Sequence, residues 1–143
     1  MMEGKCTNFP YLLLMQTSKA VQDRIRIEIT KSKLTITEFS VLEVLYNKGK
    51  QTIHQIGNSI LISSGSMTYV IDKLEQRGLL NRSACPVDRR VIHVLLTDDG
   101  SDLMENILPK HTELVEFMLG SLSNREKEIL VKLLKKVRDR VES

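Results

Sequence analysis

The sequence predicts a mainly α fold carrying one small β-hairpin, and three observations lead there. Apolar residues recur at helical spacing over six stretches of the 143-residue chain. Three of those stretches start on a hydroxyl residue followed three positions later by Glu or Gln. Only one pair of segments, 79–84 and 91–96, alternates apolar and polar residues as strands do, around the charged turn Pro86-Val87-Asp88-Arg89-Arg90.

The first helix covers about 9–30, with Leu13, Leu14, Val21, Ile25 and Ile29 at helical spacing. A second runs from about 36 to 47 through Phe39, Val41, Leu42, Val44 and Leu45 and stops at Gly49. Its start, Thr35-Ile36-Thr37-Glu38, has the reciprocal form in which the hydroxyl accepts from a free first-turn amide and the Glu reaches back. Thr52-Ile53-His54-Gln55 opens a short third helix ending near Ile60 by the same device. The fourth starts at Ser63 or Ser64 and runs through Met67, Val70, Ile71 and Leu74 to Gly78. After the hairpin, Thr97 caps a fifth helix whose first turn holds Asp98 and Asp99, charges that the helix dipole favours. Pro109 lies inside that helix, so a kink or break is expected near Leu108. Ser123-Asn124-Arg125-Glu126 opens the last helix, about 124–141, with Ile129, Leu130, Leu133, Leu134, Val137 and Val141 on one stripe. Its other face holds Arg125, Lys127, Lys132, Lys135, Lys136, Arg138 and Arg140.

Composition narrows the class without choosing a function. A 41% hydrophobic and 27% charged chain is an ordinary globular domain, long enough to bury a core. No apolar run approaches the roughly 20 residues that cross a bilayer, and no small-residue cleavage pattern follows "PYLLLM". A cytoplasmic protein without a membrane partner is expected. The net charge of +3 neither requires nor excludes nucleic acid, so the placement of charge matters more than its total. With no Trp and few aromatics, stacking platforms for single strands are not expected.

Enzymatic chemistry finds no support. His54, His93 and His111 fall on three different elements, none beside a Cys or carboxylate at ligand spacing. There is no Gly-rich phosphate loop and no nucleophile elbow, and a helix start already explains Asp98-Asp99. No metal, cofactor or catalytic residue is expected. Cys6 and Cys85 are too few for a disulfide framework, and each reads as an incidental thiol or as a reactive one.

The segment "TIHQIGNSILISSGSMTYVIDKLEQRGLL" carries more information. A short helix, a few linking residues and a longer helix starting at "SSGSMTY" have the layout of a helix-turn-helix. Such a unit puts the amino-terminal end of its second helix into the major groove of duplex DNA. Ser63, Ser64, Ser66 and Thr68 suit phosphate or base-edge contacts there, and free first-turn amides favour an anion. The serines can equally be simple caps. Met67 stands in the same turn, Tyr69 reads as a groove contact or a packing residue, and Thr52 at the head of the first helix joins the candidates. Lys73 and Arg77 are placed to reach the flanking backbone.

The hairpin decides between these readings. A charged turn by itself is a solvated turn, but one that follows a recognition-type helix directly is a wing. Guanidinium groups such as Arg89 and Arg90 suit the enhanced negative potential of a narrow minor groove. Asp88 is then read as the partner that orients one of them, and Arg82, entering the first strand, as a phosphate contact. Over 63–93, Lys73, Arg77, Arg82, Arg89 and Arg90 outnumber Asp72, Glu75 and Asp88. Block 35–97 is therefore read as a winged helix-turn-helix DNA-binding domain. The flanking helices, in 1–34 and 98–143, must bury their stripes against each other or against a second copy of the chain.

The residues "LTITEFSVLEVL", "SMTYVIDKLEQRGLLNR", "PVDRR" and "LLTDDG" resemble the MarR family of bacterial winged-helix transcription regulators, and with the flanking helices the likeness spans the whole chain. The resemblance implies a homodimer whose terminal helices interlock and whose wings flank a pseudo-palindromic operator in double-stranded DNA. It puts the family's wing arginine on Arg90 or Arg89, its orienting aspartate on Asp88 and its backbone-contacting arginine on Arg82. Where many members carry Arg after the Thr of the recognition helix, this sequence has Tyr69, which implies a different operator preference. "SGSMTYVIDKLEQRGLLNRSACPVDRR" further resembles the quinone- and hydroquinone-responsive repressors of Firmicutes, implying detoxification genes released by phenolic or quinone compounds. Two routes stay open for the effector: a pocket between dimerisation helices and DNA-binding lobe, or modification of Cys6 or Cys85.

Overall fold

The computed structural model describes residues 8–60 and 64–143, apart from the Ser64 side chain; Cys6 and Ser63, also singled out above, lie outside what is described. In chain order the elements are α1 (Phe9–Thr30), α2 (Ile36–Lys48), β1 (Gln51–Thr52), α3 (Ile53–Ile60), α4 (Ser64–Gln76), β2 (Leu80–Ala84), β3 (Ile92–Leu96), α5 (Asp98–Met118) and α6 (Asn124–Glu142).

All three hydroxyl–x–x–Glu/Gln signals are reciprocal caps. Thr35 Oγ1 accepts from Glu38 N at 3.0 Å while Thr35 N donates to Glu38 Oε1 at 2.9 Å. The corresponding distances are 3.0 and 2.8 Å for Thr52 and Gln55, and 3.1 and 2.8 Å for Ser123 and Glu126. Each satisfies two otherwise orphaned donors, which stabilises a helix start by about 1 kcal/mol. Asn8 caps α1, its side chain accepting from Tyr11 N at 2.9 Å, with a proline in the first turn.

The two segments expected to form the hairpin pair antiparallel, Leu80 with Leu96 through Ala84 with Ile92. A third strand is present that the sequence reading lacked. Gln51 and Thr52 pair with Val94 and His93, giving the order β1-β3-β2. Two residues are too few to show a period, so β1 is a product of tertiary pairing alone. Of the kink or break expected near Leu108, a break is absent. α5 runs through Pro109 as one continuous helix, at the cost of the hydrogen bond that proline cannot donate to the Glu105 carbonyl.

The described chain forms two compact units that meet in sequence at Pro109. In the first, α1 gives Ile29, α2 gives Phe39, Val41, Leu42 and Leu45, and α4 gives Met67, Val70, Ile71 and Leu74 to one core, joined by Leu80, Val94, Met104 and Ile107. The corner where α4 becomes β2 is held tightly. Gly78 turns it at φ +75°, Thr97 Oγ1 donates to the Gly78 carbonyl at 2.6 Å, and the same oxygen accepts from Gly100 N at 3.0 Å. A Cβ at Gly100 would collide with the Leu79 carbonyl, so only glycine lets α5 begin against this corner. In the second unit, 110–143, Leu114 is buried, whereas α6 has no buried residue at all. Among the described residues no helix is long and apolar enough to cross a membrane.

Candidate nucleic-acid interface

Helix α4 sorts its residues by the helical period. Met67, Val70, Ile71 and Leu74 face inward, while Ser66, Thr68, Tyr69, Asp72, Lys73 and Gln76 face solvent. Met67 is fully buried, so its place among the DNA contacts is corrected: a thioether with no accessible surface cannot meet a base edge. Tyr69 is not a packing residue of this unit. Its ring is 63% exposed, with Lys73 Nζ 5.6 Å from its centroid, one helical turn on. The pair forms an exposed, cationic, partly aromatic ridge beside Ser66 and Thr68.

The tip of the wing is a turn in which Val91 N donates to the Asp88 carbonyl at 3.0 Å. Asp88 organises it from within. Its Oδ1 accepts from Arg90 N at 3.0 Å and from Arg90 Nε at 3.1 Å, and its Oδ2 accepts from Arg90 Nη2 at 3.3 Å. The Arg90 guanidinium and amide hold the Asp88 carboxyl below the usual aspartate range. Arg90 remains 91% exposed in this grip, aimed but accessible, and Arg89 beside it is exposed too. Val87 at the same tip is 95% exposed. Sequence reasoning passed over it; the signal was an apolar residue set between a proline and a charged turn.

Thr52 does not stand free. Its hydroxyl closes the cap of α3 and its backbone belongs to β1. With Ile53, His54, Arg90, Val91 and Ile92 it lines an open cleft of about 390 Å³ beside the wing. Two further expectations change. Arg77 donates to the Lys33 carbonyl at 2.7 Å and so braces the α1–α2 connection, where Lys33 adopts φ 60°. Arg82 is taken up by Glu75, Nη1 to Oε1 at 2.6 Å, and by Asp72 through Nη2. Arg77 thus commits Nη1, and Arg82 both of its terminal nitrogens, to acceptors within the protein. Cys85 is half-buried at the base of the tip, where its N–H donates to the Val91 carbonyl at 3.0 Å. Among the described residues no group of three or more His, Cys, Asp or Glu is placed to hold a metal ion.

Helix–turn–helix, exposed helix ridge and arginine-tipped hairpin thus lie in one unit in the order a groove-reading module needs. Residues 34–92, the stretch from α2 to the wing, match the MarR family model. The HTH-type transcriptional regulator MhqR of Bacillus subtilis is 43% identical over 127 residues, which is 89% of this chain and 88% of that protein. Among solved structures, Bordetella bronchiseptica BpsR, whose DNA binding is regulated by 6-hydroxynicotinic acid, superposes with a TM-score of 0.81 at 30% identity, over 92% of this chain and 99% of that one. AbsC, a MarR family regulator from Streptomyces coelicolor, shares the fold at a TM-score of 0.87 and 18% identity, over 93% of this chain and 92% of that one. The chain belongs to the MarR family of winged-helix, DNA-binding transcriptional regulators.

Proposed function

We propose that the protein is a homodimeric repressor that binds a pseudo-palindromic operator and leaves it when a small phenolic or quinone-type compound binds. The observation that carries this reading is the exposed surface of the first unit. Ser66, Thr68, Tyr69 and Lys73 stand on one helix, and an accessible, pre-oriented Arg90 stands at the tip of the wing that follows it. The helix suits a major groove and the arginine a narrow minor groove.

Dimerisation is supported by α6. Ile129, Leu133, Leu134, Val137 and Val141 lie at helical spacing and are all more than 40% exposed, a stripe that a second copy would cover. Two recognition helices must then meet successive major grooves about 34 Å apart, and a ligand that favours another separation releases the DNA. The regulation of BpsR by a hydroxylated aromatic acid supports an effector of that general chemistry here. The 43% identity to the transcriptional regulator MhqR over 89% of this chain supports the regulatory role.

The test is footprinting of the region upstream of its own gene, across a salt series and with added quinones and hydroquinones. Sequence-specific protection that fades steeply with salt and with quinone is expected. Absence of protection at every salt concentration would instead leave a protein-interaction module. Release that persists in Cys6→Ser and Cys85→Ser variants favours a noncovalent pocket, and loss of release in either variant points to thiol chemistry.

A further inference from the structure

Arg82, Asp72 and Glu75 are more closely arranged than a surface ion pair requires. β2 is the outer strand of the sheet, so its outward N–H groups find no strand partner. One of them, Arg82 N, donates to Glu75 Oε2 at 3.1 Å, while Arg82 Nη1 donates to Oε1 of the same carboxylate. Asp72, one helical turn earlier on α4, takes the other guanidinium nitrogen. The two acids at i and i+3 thus hold one strand residue by main chain and side chain together, and the Arg82 side chain is only 27% exposed.

We propose that this triad is a lock setting the angle of the wing against the recognition helix, and that Arg82 is a positioning residue for DNA binding rather than a DNA contact. This rests on the operator-binding reading given above. The lever explains why a lock is needed. From Arg82 to the turn is about four residues, or about 13 Å at 3.3 Å per residue. A tilt of about 10° at the base therefore moves the tip by about 2 Å, far more than a hydrogen bond tolerates. Beyond β1, which reaches only His93 and Val94, the wing is a two-stranded ribbon, too small to hold its own angle firmly.

The lock and a direct phosphate contact predict opposite signs when the acids are neutralised. Asp72→Asn with Glu75→Gln removes two negative charges per chain from beside the DNA, which by charge alone strengthens binding. If Arg82 positions the wing, that double variant binds about tenfold more weakly to a duplex carrying the upstream segment the native protein protects. It also loses hydroxyl-radical protection at the wing flanks while keeping protection in the major groove. Arg82→Lys, which keeps the charge but not the fork, falls between the native protein and Arg82→Ala. In the DNA-free protein, the Arg82 amide exchanges hydrogen faster in the double variant while its Tm stays close to native. Unchanged amide exchange, or binding as tight as native or tighter, would overturn the lock. If the native protein itself protects no upstream segment, operator binding fails and the positioning role goes with it; amide exchange still reports separately whether the triad holds the strand.

Discussion

The base of the wing and its tip each pair an arginine with a carboxylate, yet they do different things. At the base, Arg82 is largely covered and shared between two acids from a neighbouring helix. At the tip, Arg90 is paired with Asp88 two residues away and is almost fully exposed. The first arrangement joins two elements; the second only shapes one side chain. Burial and the origin of the partner, more than charge, separate a strut from a reader. Sequence alone presents both as basic residues near a hairpin.

Substitutions that break the comparison range from the core behind the base to the solvent at the tip. The largest effect is expected for Gly100→Ala. Its new Cβ meets the Leu79 main chain, which cannot yield without opening the α4–β2 corner, so a loss of about 3 kcal/mol or more is expected in denaturant unfolding. Met67→Ala comes next at about 2–4 kcal/mol, the cost of emptying a fully buried site in the core. Its operator affinity at temperatures where it is folded is expected to stay near native, as befits a residue that supports the ridge from behind.

At the tip the measured quantity changes from stability to affinity. Arg90→Ala is expected to cost about 1–3 kcal/mol of operator binding per wing with Tm unmoved, since a side chain 91% exposed contributes little to packing. Asp88→Asn is milder, a few-fold loss of affinity, because the amide cannot pair with the whole guanidinium but leaves Arg90 in place. The smallest effect concerns pH. The Asp88 carboxyl is held below its ordinary value of 3.8 by Arg90. A depressed carboxylate stabilises the folded turn above its unfolded pKa, and that contribution disappears only as pH falls through the lower, folded value. The wing is thus expected to contribute no change in binding between about pH 6 and 8; a wing-dependent titration there, absent in Asp88→Asn, would contradict this pairing.

Most of the fold was legible because its signals are local. Three reciprocal caps and the apolar period of α4 record contacts within a few residues of one another, and the hairpin strands pair across a single turn. β1 was not legible, since its two residues become a strand only by pairing with Val94 and His93, some forty positions away. The site was legible in outline, but several partners of its residues were not, for the same reason. Met67, Arg77 and Arg82 carry the right chemistry for DNA, but their partners lie elsewhere: the core for Met67, the Lys33 carbonyl for Arg77, and Asp72 and Glu75 for Arg82. Asp88 and Arg90 were readable as a pair because two residues separate them.

The central claim is that exposed residues of α4 and the arginine tip read duplex DNA. Its most direct test is the salt dependence of binding to the upstream duplex for the native protein and for Arg90→Ala. A steep native dependence is expected, with weaker binding and a slope reduced by about one per wing in the variant. Equal affinity and equal slope, with Arg89→Ala equally silent, would contradict it.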